Sequence, residues 1–225
     1  MFLAVFALIQ SVTASISSTH HFTPWVAVFL NDTESARCKE FLQNTSAPNA
    51  ADQQCGHMTV VFDPPTLKPY IPFFGLEEQV RVLAYGQDDY DQALLIEVVS
   101  GDVVSTNVYP HITISDTGVA PYTPVYSIVV WERLARDSPL VVGRDSLHNL
   151  PNSVSLPHNR TSWRGNLPPI NSTLYPNPEG GEYPASAGEV FLLGGREQPE
   201  VIFTGTLCAN FLWHQNEGVC EKLKS

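Results

Sequence analysis

Two short segments of this chain hold residue types that could do chemistry together. "GHMTVVF" sets His57 two residues ahead of Thr59, with Met58 and Val60 on the alternate positions, and "YPHITISDTG" repeats the arrangement with His111, Thr113, Ile112 and Ile114. The two-residue period of a β-strand places each histidine and its threonine on one face and the apolar pair on the other. A lone histidine on a strand is more often a satisfied structural residue than a catalyst, and the recurrence with threonine is what singles these two out. Imidazole has an ordinary pKa near ~6.5, so one ring can be neutral and take a proton while the other is charged and gives one. That division of labour suits cleavage of a phosphodiester: one histidine draws a proton from water and the other supplies it to the departing ribose oxygen. Thr59 and Thr113 would hydrogen-bond the non-bridging oxygens as charge accumulates there. The scheme requires no metal and no cofactor.

The elements that must position these residues are legible around them. "TPWVAVFL" reads as a first strand, and "DTESARCKEFLQ" as a short helix with Asp32 or Thr33 as its N-cap. The strand carrying His57 stops at Pro64-Pro65, which lack backbone donors. "EEQVRVLAYG" and "QALLIEVVSG" are further strands on either side of "QDDYD", whose Asp88, Asp89 and Asp91 read as a solvated turn. "VYSIVVWERL" also reads as a strand, as do "GEVFLLGG" and "EVIFTGTLCANFLW". From about 137 to 187 asparagine, proline, serine and glycine crowd out apolar periodicity. This predicts an inserted segment without a core of its own inside a single domain. Eighteen prolines, 14 glycines and many short β-branched runs favour an α+β fold built on antiparallel sheet with few helices.

Composition narrows the setting. The N-terminal "MFLAVFALIQSVTAS" is an apolar run with a small-residue cleavage pattern at Val12-Thr13-Ala14, which predicts a signal peptide over residues 1–14 and a mature start at Ser15. Asn31, Asn44, Asn159 and Asn171 each open an N-glycosylation acceptor triplet. Cys38, Cys55, Cys208 and Cys220 form an even set that suits two disulfides in an oxidising compartment; three pairings are open, and the local ones, Cys38 with Cys55 and Cys208 with Cys220, are favoured. Their spacing does not match a structural zinc site. A secreted or secretory-pathway luminal glycoprotein is expected, without a membrane partner. The formal net charge of −11 disfavours a long nucleic acid held through its backbone. A nucleic-acid substrate should be small or gripped at one end.

"HMTV" and "HITI" resemble the paired His-x-Thr signatures of the 2H phosphoesterase superfamily. Together with "FTGTLC" they look most like the cyclic phosphodiesterase domain of fungal and plant tRNA ligases and their RNA-repair-like relatives, over Thr23 to Trp131 and Glu189 to Trp213. The resemblance implies two pseudo-symmetric lobes of antiparallel sheet around a central cleft. It also implies a 2′,3′-cyclic phosphate of a nucleotide or RNA end as substrate, opened to a monophosphate by His57, Thr59, His111 and Thr113. His57 is assigned as acid and His111 as base, a choice the residues themselves do not dictate. The chain departs from that pattern in lacking ligase and kinase domains, in its expected export and in the proline-rich segment.

Lesser candidates are weighed beside the quartet. Trp163 and Arg164 in "NRTSWRGN" could stack on a base and contact phosphate, or form a surface loop. Thr204, with Thr206, could line the cleft or simply pack in a strand. His20, His21, His148, His158 and His214 have no partner pattern. The alternative to an enzyme is a secreted nucleotide-binding or structural module that has lost turnover. A serine hydrolase is disfavoured because no Gly-x-Ser-x-Gly elbow is present.

Overall fold

Trp25–Leu30, alternating buried valines with larger rings, forms β1, and Asn31 turns the chain into helix α1 (Asp32–Asn44). The N-cap is Asn31 rather than Asp32 or Thr33: its side-chain oxygen accepts the Glu34 N–H at 2.9 Å, satisfying a donor that the first helical turn leaves open. The amide nitrogen of Asn31, where a glycan would attach, is not the capping atom. Asn171 is exposed, and Asn44 ends α1. The computed structural model describes residues 25–44, 52–99, 103–139, 162–193 and 200–210. The expected signal peptide, Asn159, Cys220 and the five unassigned histidines lie outside the described residues.

Nine strands form one antiparallel sheet among the described residues. After β1 come β2 (Asp52–Gln53), β3 (His57–Phe62), β4 (Glu77–Gln87), β5 (Asp91–Val98), β6 (His111–Asp116), β7 (Ser162–Leu167), β8 (Ser186–Leu192) and β9 (Ile202–Asn210). Their order across the sheet is β2-β6-β5-β4-β9-β1-β3. The long strand β4 is the spine. One edge pairs with β5, while the other is divided, Glu77–Arg81 pairing with β9 and Ala84–Gln87 with β8. A register shift between Val82 and Ala84 marks the change, where an extra residue strengthens the local twist.

The expectation of a strand at "VYSIVVWERL" is overturned. Ser127–Asp137 is helix α2, entered through a 3-10 turn at Pro124–Tyr126. Its buried Ser127, Val130, Trp131 and Leu134 stand three, four and seven residues apart, a helical stripe that the β-branched Val129-Val130 disguises. α2 lies so close to β4 that a Cβ on Gly86 would fall 2.6 Å from Leu134 Cδ1 and 2.7 Å from the Trp131 ring, so only glycine fits there. The solvated turn is overturned too: Asp88 and Asp91 are buried, and Arg133 of α2, itself fully buried, pairs with Asp88 at 3.3 Å.

Two apolar clusters result. The first gathers Val26, Val28, Met58, Val60, Val80, Leu94, Ile112, Ile114, Phe203 and Leu207 from one face of the curled sheet, with Cys38 of α1. The second packs α2 on the other face with Ala84, Ala93 and Leu95, together with Leu167, Ile170 and Tyr183. Residues 162–185 therefore share α2's core; they have none of their own, as the composition suggests, yet they are built into the sheet through β7 and β8. A disulfide joins Cys38 to Cys55, with Cα atoms 5.8 Å apart. No helix among the described residues is long and apolar enough to cross a membrane.

Candidate active site

The two His-x-Thr strands lie toward opposite ends of the sheet path, β3 last at one end and β6 next to last, beside β2, at the other, and the chain between them draws them together. β2 runs antiparallel to β6, Asp52 opposite Asp116 and Gln53 opposite Ser115, and the pairing continues as Gln54 N–H to the Ile114 carbonyl (2.8 Å) and Cys55 N–H to the Thr113 carbonyl (2.9 Å). Two residues further in the same register come His57 and His111. Cys55 takes a left-handed backbone, φ 53°, and there the chain swings from β6 across to β1, where His57 pairs with Phe29 and Thr59 with Ala27. The segment leading into β6 returns along β3: Ser105 Oγ donates to the Thr59 carbonyl at 3.0 Å and Thr106 N–H to the Val60 carbonyl at 2.8 Å. Met58, Val60, Ile112 and Ile114 all enter the first core, which leaves His57, Thr59, His111 and Thr113 on the opposite face, as strand alternation predicts.

The two rings have unlike surroundings. His57 sits against Trp25 (ring centroids 4.4 Å apart) and Phe29 (5.7 Å), and its nitrogens hydrogen-bond to none of the described residues. Trp25 and Phe29 are one helical-looking step of four apart, but on a strand this places both on the face of small Ala27, over which their rings approach to 5.3 Å. His111 donates from Nδ1 to the Tyr109 carbonyl at 2.7 Å, which fixes its tautomer and leaves Nε2 as the working nitrogen. Burial, and then the charge of His111, push His57 down to about 4. Burial also lowers His111, opposed by the bond to Tyr109. His57 thus feels the charge of His111, and His111 has beside it a carbonyl that favours its protonated form, which His57 lacks among the described residues.

The threonines differ as well. The Thr59 hydroxyl has no hydrogen-bond partner among the described residues, whereas Thr113 Oγ1 donates to the Pro124 carbonyl (3.0 Å) and meets Ser127 Oγ at 2.8 Å. Thr204 faces away from the first core on β9, opposite Gln79, and its backbone N–H donates to Glu34. Thr206 lies closer to the histidines, opposite Phe29. Trp163 and Arg164 point to opposite faces of β7. The indole lies over Gly165 against the second core, and Arg164 pairs with Glu189 on β8, so the two do not form one recognition unit. Helix α2 covers the sheet between Thr113 and that hairpin. A hollow of about 460 Å³ beside the hairpin, lined by Gln87, Asp88, Asp89, Arg164, Asn166 and Glu189 among others, shares no lining residue with the quartet.

Trp25 and Phe29 are the neighbours that motif spacing missed. The signal available was their alternation with Ala27 on a strand whose partner was not deducible locally. No model of a protein family matches the chain, and a comparison with curated proteins finds no match.

Proposed function

We propose that this protein is a phosphodiesterase that opens 2′,3′-cyclic phosphates by two-histidine acid–base catalysis. The observation that carries the reading is that His57 lies within electrostatic reach of His111, two partly buried imidazoles in unlike surroundings on one face of the sheet. We give them the roles opposite to those assigned from the sequence: His57, driven neutral by burial, is the base, and His111, whose charged form the Tyr109 carbonyl favours, is the acid. Neutral His57 takes a proton from water, whose oxygen forms the new bond to phosphorus; the bond to one ribose oxygen breaks, and His111 Nε2–H protonates that oxygen. Thr59 donates to a non-bridging oxygen. The Trp25 and Phe29 rings form an apolar wall beside His57 against which a nucleobase can lie. Two lobes flanking a cleft at the β3–β6 junction, export through a signal peptide, and a mononucleotide or RNA end as ligand belong to the same reading.

The test is turnover of 2′,3′-cyclic nucleotides by the purified protein in the presence of a chelator. Removing either imidazole should cost on the order of 10²- to 10⁴-fold in kcat, the usual worth of a positioned acid or base. Wild-type turnover that survives both His57→Ala and His111→Ala, or ligand retention without turnover, would sink the enzyme in favour of another site or a binding module.

A further inference from the structure

Thr113 belongs to a longer line of groups. Its Oγ1 touches Ser127 Oγ at 2.8 Å, and Ser127 Oγ in turn lies 2.8 and 3.0 Å from the two carboxyl oxygens of Asp91. Thr113, Ser127 and Asp91 are all buried. From the turn between β4 and β5, Asp88 faces Asp91 and accepts its backbone N–H at 3.1 Å; from β6, Asp116 stands opposite it in register. The charged and titratable groups that α2 and its entry turn bring to this cluster, Arg133 and Tyr126, both bind Asp88. Among the described residues no cation pairs with Asp91.

We propose that Asp91, acting through Ser127, aims the Thr113 hydroxyl: Thr113 donates to a phosphoryl oxygen when Asp91 is protonated and is turned onto Ser127 Oγ when Asp91 is ionised. The inference rests on the reading of the His-x-Thr pair as a phosphoryl site. The physical reason is that each hydroxyl has a single proton to give. With Asp91 protonated, its O–H donates to Ser127 and Ser127 donates to Thr113, so the Thr113 proton goes either to the Pro124 carbonyl or to an approaching phosphoryl oxygen, and the phosphoryl oxygen outcompetes a neutral carbonyl. Such a one-directional chain is mutually reinforcing and strengthens Thr113 as a donor. With Asp91 ionised, Ser127 donates to the carboxylate instead. Thr113 then donates to Ser127 Oγ, 2.8 Å away, in a chain that ends on an anion, and its proton is withheld from the phosphoryl group. Burial holds the Asp91 proton well above the usual carboxylate range; the Ser127 bond opposes this, and the charges of Asp88 and Asp116 reinforce it. Ser127 and Asp91 are positioning residues, since neither touches the substrate.

Calorimetric titration of inorganic phosphate into the full protein over a series of pH values tests this. The ratio of wild-type to Ser127→Ala dissociation constants cancels the titration of phosphate and of the histidines. Above the Asp91 transition Ser127→Ala should bind roughly tenfold tighter than wild type, the worth of one hydrogen bond to an anion, and below it the two should agree. The difference should vanish in a Thr113→Val background, and Asp91→Asn, folded by circular dichroism, should lose the same step. A ratio that is constant with pH, or one that persists without the Thr113 hydroxyl, overturns the inference while leaving the phosphoryl site standing. Absence of phosphate binding by wild type at every pH overturns both.

Discussion

His57 is pressed between aromatic rings and makes no compensating hydrogen bond with the described residues, whereas His111 leans on a carbonyl that welcomes its proton. An enzyme using the first as base and the second as acid works only while His57 is neutral and His111 is charged. The first condition holds above about 4. The second holds below the pKa of His111, which burial sets under the ordinary histidine value. The profile of kcat/KM should therefore be a bell on the acid side of neutrality, rising through the His57 transition at about 4 and falling as pH rises through the His111 transition. Trp25→Ala should test the cause of the lower limb. Opening the ring to water relieves the desolvation that holds His57 down, so the ascending limb should move upward toward ~6.5 and the bell should narrow. A limb that stays near its original position in Trp25→Ala would show that the indole does not tune His57.

At the scale of elements, the bend between β2 and β3 is what carries the chain from β6 across to β1 and draws the two His-x-Thr strands together. Cys55 bonds to Thr113, adopts the left-handed conformation and is tied by its disulfide to Cys38 on α1. The bridge closes a loop with a sequence separation of 17, for which loop-closure entropy gives about 3 kcal/mol. Cys38→Ala with Cys55→Ala should lower the urea midpoint by about that free energy. It should also reduce kcat in the cyclic-nucleotide assay beyond the loss of folded protein, because His57 is two residues from the released anchor; a loss explained by unfolding alone would make the bridge merely structural. The sequence reveals the strands of this region because each half-buried strand writes its alternation locally. It hides α2 and the buried Asp88 for one shared reason. Arg133 reads as solvent-facing and breaks the apolar stripe of the helix, while Asp88 reads as a turn carboxylate. Each is tolerable inside only because the other is there, 45 residues away, and no local pattern records such a pairing. The recurrence of histidine and threonine at 57 and 59 and at 111 and 113 is legible in the sequence, but the inequality of the threonines is not, because Ser127 belongs to a helix whose valines give it the pattern of a strand.

At the largest scale, the described residues build two cores on the two faces of one sheet, with β4 common to both. Arg133 joins parts of the second that are distant in sequence. Besides Asp88 and the Tyr126 hydroxyl, its guanidinium donates to the carbonyls of Leu167, Pro168 and Pro184, which hold both ends of the long connection between β7 and β8. Removing it strands a buried carboxylate and leaves three carbonyls without this donor. Breaking such a pair from one side costs about 3–5 kcal/mol. The cost should be local before it is global. The β1, β3 and β9 strands close the first core with no contribution from Arg133, while among the described residues β7 attaches to the rest of the sheet only through β8. Hydrogen exchange of Arg133→Ala should therefore show protection lost first in β7, β8 and α2, with β1, β3 and β9 exchanging at rates set by the remaining global stability. Uniform loss of protection across all strands would mean that the two cores unfold as one unit. Because Thr113 reaches α2 through Ser127 whereas Thr59 does not, the same variant should weaken phosphate binding mainly through the His111 half of the site, and a Thr59→Val substitution should add to it independently.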